Sequence, residues 1–134
     1  MGEQLNPPTG PAMPSIRYAA DAPEFDTAER CAISEWSNCE QDPTVSIAHA
    51  RVRPGVTTCW HCVRDTAERY VIMQGEGRVE VGDLPPQTVG PGDVVLIPAG
   101  CRQRIANVGT IDLCFLAICT PRFQAANYCD LEAS

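Results

Sequence analysis

The sequence predicts an all-β barrel or sandwich in a single domain, and three observations carry that prediction. Short strand-like runs recur along the chain, and Gly or Pro marks almost every gap between them. No long segment carries a helical period. At 134 residues the chain is long enough to bury one core, and no linker divides it.

In chain order, residues 1–14, MGEQLNPPTGPAMP, are rich in Pro and Gly and read as a flexible tail before a domain over residues 15–134. Ser15 to Tyr18 is expected to form a short strand, and Asp26 to Glu29 a helical turn. CAISEWSN, from Cys31, reads as a strand. Val45 to Val52 reads as another, ended by Pro54-Gly55. Further strands are expected at about 57–63, 68–73, 76–82, 86–89, 93–97, 101–107 and 111–119. The last of these is apolar on both faces, so it is either central in its sheet or covered by a partner subunit. From Thr120 onward a loop with one helical turn is expected.

Composition excludes several functions. The net charge is −7 and every basic residue is arginine. Such a surface argues against nucleic acid, whose phosphates are neutralised by many cations, and against an anionic membrane. A small-molecule ligand or another protein is the expected partner. No apolar run reaches the length of a membrane span, and MGEQLNPPTG lacks a basic region followed by an apolar run. A cytoplasmic location is expected. In that compartment the 8 cysteines are read mainly as free thiols. The string CWHC, Cys59 to Cys62, lies in a strand with its thiols on opposite parity, and is read as coincidence rather than a redox pair.

Strand alternation then says which side chains meet. Arginines are rarely buried, so Arg102 and Arg104 face out and Cys101, Gln103 and Ile105 face in. By the same reasoning Glu68, Tyr70 and Ile72 face in, as do Cys59, His61 and Val63. A histidine, a carboxylate and a carboxamide thus share one interior. A buried carboxylate costs several kcal/mol unless it is paired, hydrogen-bonded or metal-bound, so Glu68 needs a partner. An ion pair with Arg51, or with an arginine of the second half, is one alternative.

The spacing of these residues resembles a known family. Gly55, five residues, His61, then Glu68, six residues and Gly75 match the first motif of the cupin superfamily. Gly92, five residues, Pro98, Gly100, Gln103 and Asn107 match the second. The chain looks like a small single-domain bacterial cupin. The resemblance implies a double-stranded β-helix, or jelly-roll β-barrel, and a divalent metal such as iron, zinc, manganese or nickel. It places that metal among positions 61, 63, 68 and 103. Two of these depart from the family pattern, since Val63 and Gln103 stand where histidines are usual. The remaining set is His61, Glu68 and the Gln103 amide oxygen, a poor site without help. Help is sought from His49, from Cys59 and Cys101, or from waters and substrate. His49 restores a two-histidine set only if it faces inward. Val45 and Ile47 share its parity, while Ala48, Ala50 and Val52 form an equally credible core face.

Three functions follow as expectations. One is a metal-dependent dioxygenase, isomerase or lyase on a small organic substrate, with Glu68 or Gln103 orienting it. Another is a non-catalytic small-molecule binder with a degraded metal site. The last is a barrel for dimerisation, since cupins pair through their sheets. A homodimer is expected in any of the three.

Overall fold

The computed structural model describes residues 13–132. Among these residues eleven strands run as β1 (Phe25–Asp26), β2 (Ala32–Ser37), β3 (Ser46–Val52), β4 (His61–Val63), β5 (Ala67–Gln74), β6 (Gly77–Val81), β7 (Gln87–Val89), β8 (Val94–Ile97), β9 (Gln103–Asn107), β10 (Leu113–Thr120) and β11 (Tyr128–Asp130). They form a six-stranded sheet in the order β1-β2-β3-β10-β5-β8 and a five-stranded sheet in the order β11-β4-β9-β6-β7. Every pairing is antiparallel. This is the jelly-roll barrel that the resemblance implies.

Period-two alternation builds the core. In β9, Gln103, Ile105 and Asn107 are buried and Arg104 and Ala106 are only half-buried. In β5, Glu68, Tyr70 and Ile72 are buried while Arg69 and Val71 are not. Val52, Ile72, Ile97, Ile105, Leu113 and Phe115 fill the space between the sheets. The apolar strand β10 is central, held between β3 and β5. On the outer surface Arg102 and Arg104 lie 4.9 and 4.4 Å from the centre of the Trp60 ring. Gly75 closes the β5–β6 turn with φ +86, and a Cβ there would stand 2.7 Å from the Asp112 carbonyl oxygen. Only glycine satisfies both demands.

Three local expectations are corrected. Ser15 to Tyr18 is not a strand; it leads into a 3-10 turn at Ala19–Asp21. Asp26 to Glu29 is not helical, because Asp26 ends β1 and the chain then turns through Arg30 at φ 69. Of the strand expected over 57–63, only His61–Val63 is laddered, with an isolated bridge from Thr57 to Ala106. The C-terminal segment holds the expected turn, at Ala125–Asn127, and also β11, which pairs with β4 in the register Tyr128↔Val63, Cys129↔Cys62 and Asp130↔His61. Most of the tail expected over residues 1–14 lies outside the described residues. No helix among the described residues is long and apolar enough to cross a membrane.

Candidate functional site

Three strands bring the interior polar groups together. β4 and β9 pair at His61↔Gln103, and β5 faces them from the other sheet with Glu68 and Tyr70. The side chains form a chain of hydrogen bonds. The Tyr70 hydroxyl donates to Gln103 Oε1, and Gln103 Nε2 donates to Glu68 Oε1 at 2.9 Å. The other carboxyl oxygen, Oε2, has only the Cys119 thiol, at 3.7 Å. No arginine reaches Glu68; Arg51 instead pairs with Glu24 and Asp112. Burial pushes the Glu68 carboxyl above its ordinary range. The amide donated by Gln103 and the nearby His61 only offset this, and the charge of Glu29 adds to it. Burial also pushes the Cys119 thiol up to about 12, so it stays a thiol.

His61 is buried and stacks on Tyr128, with ring centres 5.1 Å apart. Its Nδ1 lies 2.9 Å from the Cys59 carbonyl oxygen, which can only accept. Nδ1 therefore carries the hydrogen, and in the neutral ring Nε2 holds the free lone pair. Glu29 Oε2 sits 3.7 Å from Nδ1, beyond hydrogen-bonding distance. Glu29 is held instead by the Tyr128 hydroxyl on Oε2 and the Cys31 thiol on Oε1, each at 3.3 Å.

Glu29 and Tyr128 are site residues that sequence reasoning missed. Glu29 sits in the turn after β1, where no alternation assigns a direction. Tyr128 sits on a three-residue strand whose partner is distant in sequence. The sequence carries no signal for it beyond a tyrosine in the C-terminal tail.

Two cavities meet at Glu68. An inner one of about 50 Å³ is lined by His61, Glu68, Tyr70, Thr58 and Glu29 among others. An outer one of about 320 Å³ opens at the barrel mouth beneath the β1–β2 turn and the C-terminal segment. Its room comes from Ala48 and Ala117, which face each other across β3 and β10.

A divalent metal of the kind the fold family implies would have to be held by these residues. His61 offers Nε2. Gln103 offers only a neutral amide oxygen, a weak donor that already accepts from Tyr70, and its amide nitrogen, which is no ligand, faces Glu68. Val63 has none to offer. His49 lies on the outward parity of β3, stacked on Trp36 at 5.1 Å, because the small Ala48 and Ala50 take the inward face. Its expected role as a fourth ligand is corrected accordingly. The Cys59 thiol points to the Ala28 carbonyl oxygen at 3.6 Å, and the Cys101 sulfur packs against Gly82. Among the described residues no three His, Cys, Asp or Glu side chains converge closely enough to hold a metal ion. The donor set does not fit a transition metal.

A family model described as "Cupin domain" matches residues 48–119. No curated protein matches the sequence. Several solved structures share the fold. KdgF from Halomonas sp. superposes with a TM-score of 0.71 at 15% identity, covering 81% of this chain and 96% of that one. A predicted oxalate decarboxylase from Thermotoga maritima gives 0.71 at 20% identity, with 80% and 99% covered. The Streptomyces nucleoside dehydratase Pac13 gives 0.73 at 13% identity, with 89% and 92% covered. At such identities the likeness is one of fold.

Proposed function

This chain belongs to the cupin family, and from that premise we propose that it processes a small molecule by proton transfer, as an isomerase or lyase, without a metal in the family's usual position. The observation that supports this most is the Tyr70–Gln103–Glu68 chain beneath the cavity. Burial favours the neutral form of Glu68, and a neutral carboxyl can donate a proton to an oxygen of the ligand. His61 Nε2, with its lone pair free, is the matching acceptor on the same inner cavity. Gln103 positions Glu68 through its amide nitrogen, and Tyr70 holds the Gln103 amide oxygen. A dioxygenase reading has less support, since oxygen activation asks for a ligand set that Val63 and Gln103 do not supply.

The test is solvent-deuterium exchange. The protein is incubated in D2O with EDTA and a panel of small hydroxy and keto compounds, and label at carbon is followed by NMR. Exchange is expected with EDTA present, and a loss of about a hundredfold or more in Glu68→Gln. Activity that vanishes with EDTA and returns with added metal would sink the proposal. Saturable binding without exchange would favour a non-catalytic binding cupin.

A second copy of the chain is the proposed partner. The outer face of the six-stranded sheet carries exposed Met73, Val94 and Leu96, and the register sets Val71 between Val94 and Leu116. Such a contiguous apolar sheet face suits a two-fold interface. Light scattering is expected to give a dimer, and Leu96→Glu a monomer of unchanged fold. A monomeric wild type at tens of micromolar would refute it.

A further inference from the structure

The charged groups that line the outer cavity are all acidic. Glu29, Glu35 and Glu68 reach it, and neither arginine nor histidine does. Elsewhere among the described residues four carboxylates are paired with arginine. Glu24 and Asp112 hold Arg51, Glu80 holds Arg104, and Glu132 holds Arg30. Glu29 and Glu35 have no such partner. Glu29, with its side chain 20% exposed, has a phenol, a thiol and an imidazole whose Nδ1 hydrogen is given to a carbonyl. Glu35, which is exposed, accepts only an amide from Asn38, at 3.4 Å. At the floor, Glu68 is only 8% exposed, and its Oε2 lacks any partner but a thiol. The rest of the wall is largely apolar, with Phe25, Phe123 and Tyr128 supplying aromatic surface. A partly buried carboxylate without a counter-charge, as Glu29 is, is costly, and aromatic rings attract cations. The net charge of −7 draws cations in and repels anions.

We propose that the ligand of this cavity is an organic cation, a compact alkyl or aryl ammonium compound whose nitrogen is neutralised by Glu29 and Glu35. The proposal rests on the reading that the cavity binds a small molecule, and deepens it by naming the charge class. It sets aside substrates that carry a carboxylate. An ammonium beside Glu29 and Glu35 leaves the remainder of the ligand reaching toward the Glu68 carboxyl below.

The test uses matched triplets on butyl, cyclohexyl and benzyl skeletons, each as amine, alcohol and carboxylate. They are titrated into the 15N-labelled protein at neutral pH. The amines are expected to bind at least tenfold more tightly than the alcohols and to shift the amides of Glu29, Glu35 and Tyr128. The carboxylates are expected not to bind. Glu29→Gln and Glu35→Gln, each checked for retained amide dispersion, are expected to bring the amine affinity down to that of the alcohol. Equal affinity for amine and alcohol, or tighter binding of carboxylate, overturns the charge assignment and leaves the small-molecule reading standing. Absence of binding by all three classes, with cavity amides unmoved, overturns both.

Discussion

Replacing Val63 and Gln103 together by histidine is expected to raise affinity for zinc or nickel by at least about a hundredfold over the wild type. The reason lies in how the two positions are now used. Val63 is buried on the same inward parity as His61, so an imidazole there enters the same interior. Gln103 currently spends its oxygen on Tyr70 and its nitrogen on Glu68. A histidine at 103 frees Glu68 Oε1 and adds a nitrogen donor, giving three imidazoles and a carboxylate. Adding Tyr70→Phe removes the hydroxyl left without its acceptor. Wild-type protein purified without added metal is expected to hold far less than one equivalent, and a chelator to leave its melting temperature unchanged. The double variant is expected to bind one equivalent and to melt higher with metal than without. Stoichiometric metal in the wild type, lost in His61→Ala, would contradict this account of the site.

Parity made the inner polar chain legible in the sequence. Once Arg69, Arg102 and Arg104 were set outside, Glu68, Tyr70 and Gln103 had to share the interior, and they do. Parity could not decide His49, because the sequence offers two faces of similar apolarity on β3. Packing decided it through size: Ala48, Ala50 and Val52 are small enough to sit under the second sheet, and the imidazole found Trp36 outside. The state of Gln103 was also beyond the sequence. A carboxamide can turn either end to a neighbour, and only the folded arrangement, with Tyr70 donating to its oxygen and its nitrogen donating to Glu68, shows the choice. Glu29 and Tyr128 depend on a turn and on a short pairing far apart in sequence, where neither period nor propensity carries a signal. The outer cavity, for its part, depends on two opposed alanines whose meaning appears only once the β3–β10 register is known.

The free energy of unfolding is expected to fall as pH rises above about 5, through Glu68, and Glu68→Gln is expected to remove that part of the slope. In the unfolded chain the carboxyl has lost its proton by about pH 5. In the folded chain burial holds the proton to higher pH. Between those two values the folded state binds one more proton than the unfolded state, so stability declines by at most about 1.4 kcal/mol per pH unit. The contribution is fully present below the unfolded value and is lost as pH climbs through the folded one. The difference in denaturant stability between Glu68→Gln and wild type isolates this group, because every other titration is common to both. That difference is expected to grow in favour of the variant with rising pH. Glutamine keeps an acceptor for the Gln103 amide at 2.9 Å, so the comparison does not leave that donor unpaired. The opposite sign, with wild type gaining on the variant as pH rises, would mean a carboxylate stabilised in its ionised form, as a metal ligand or an ion-paired group is. The slope of one difference curve therefore separates the proton donor proposed for Glu68 from the ligand that the family pattern implies.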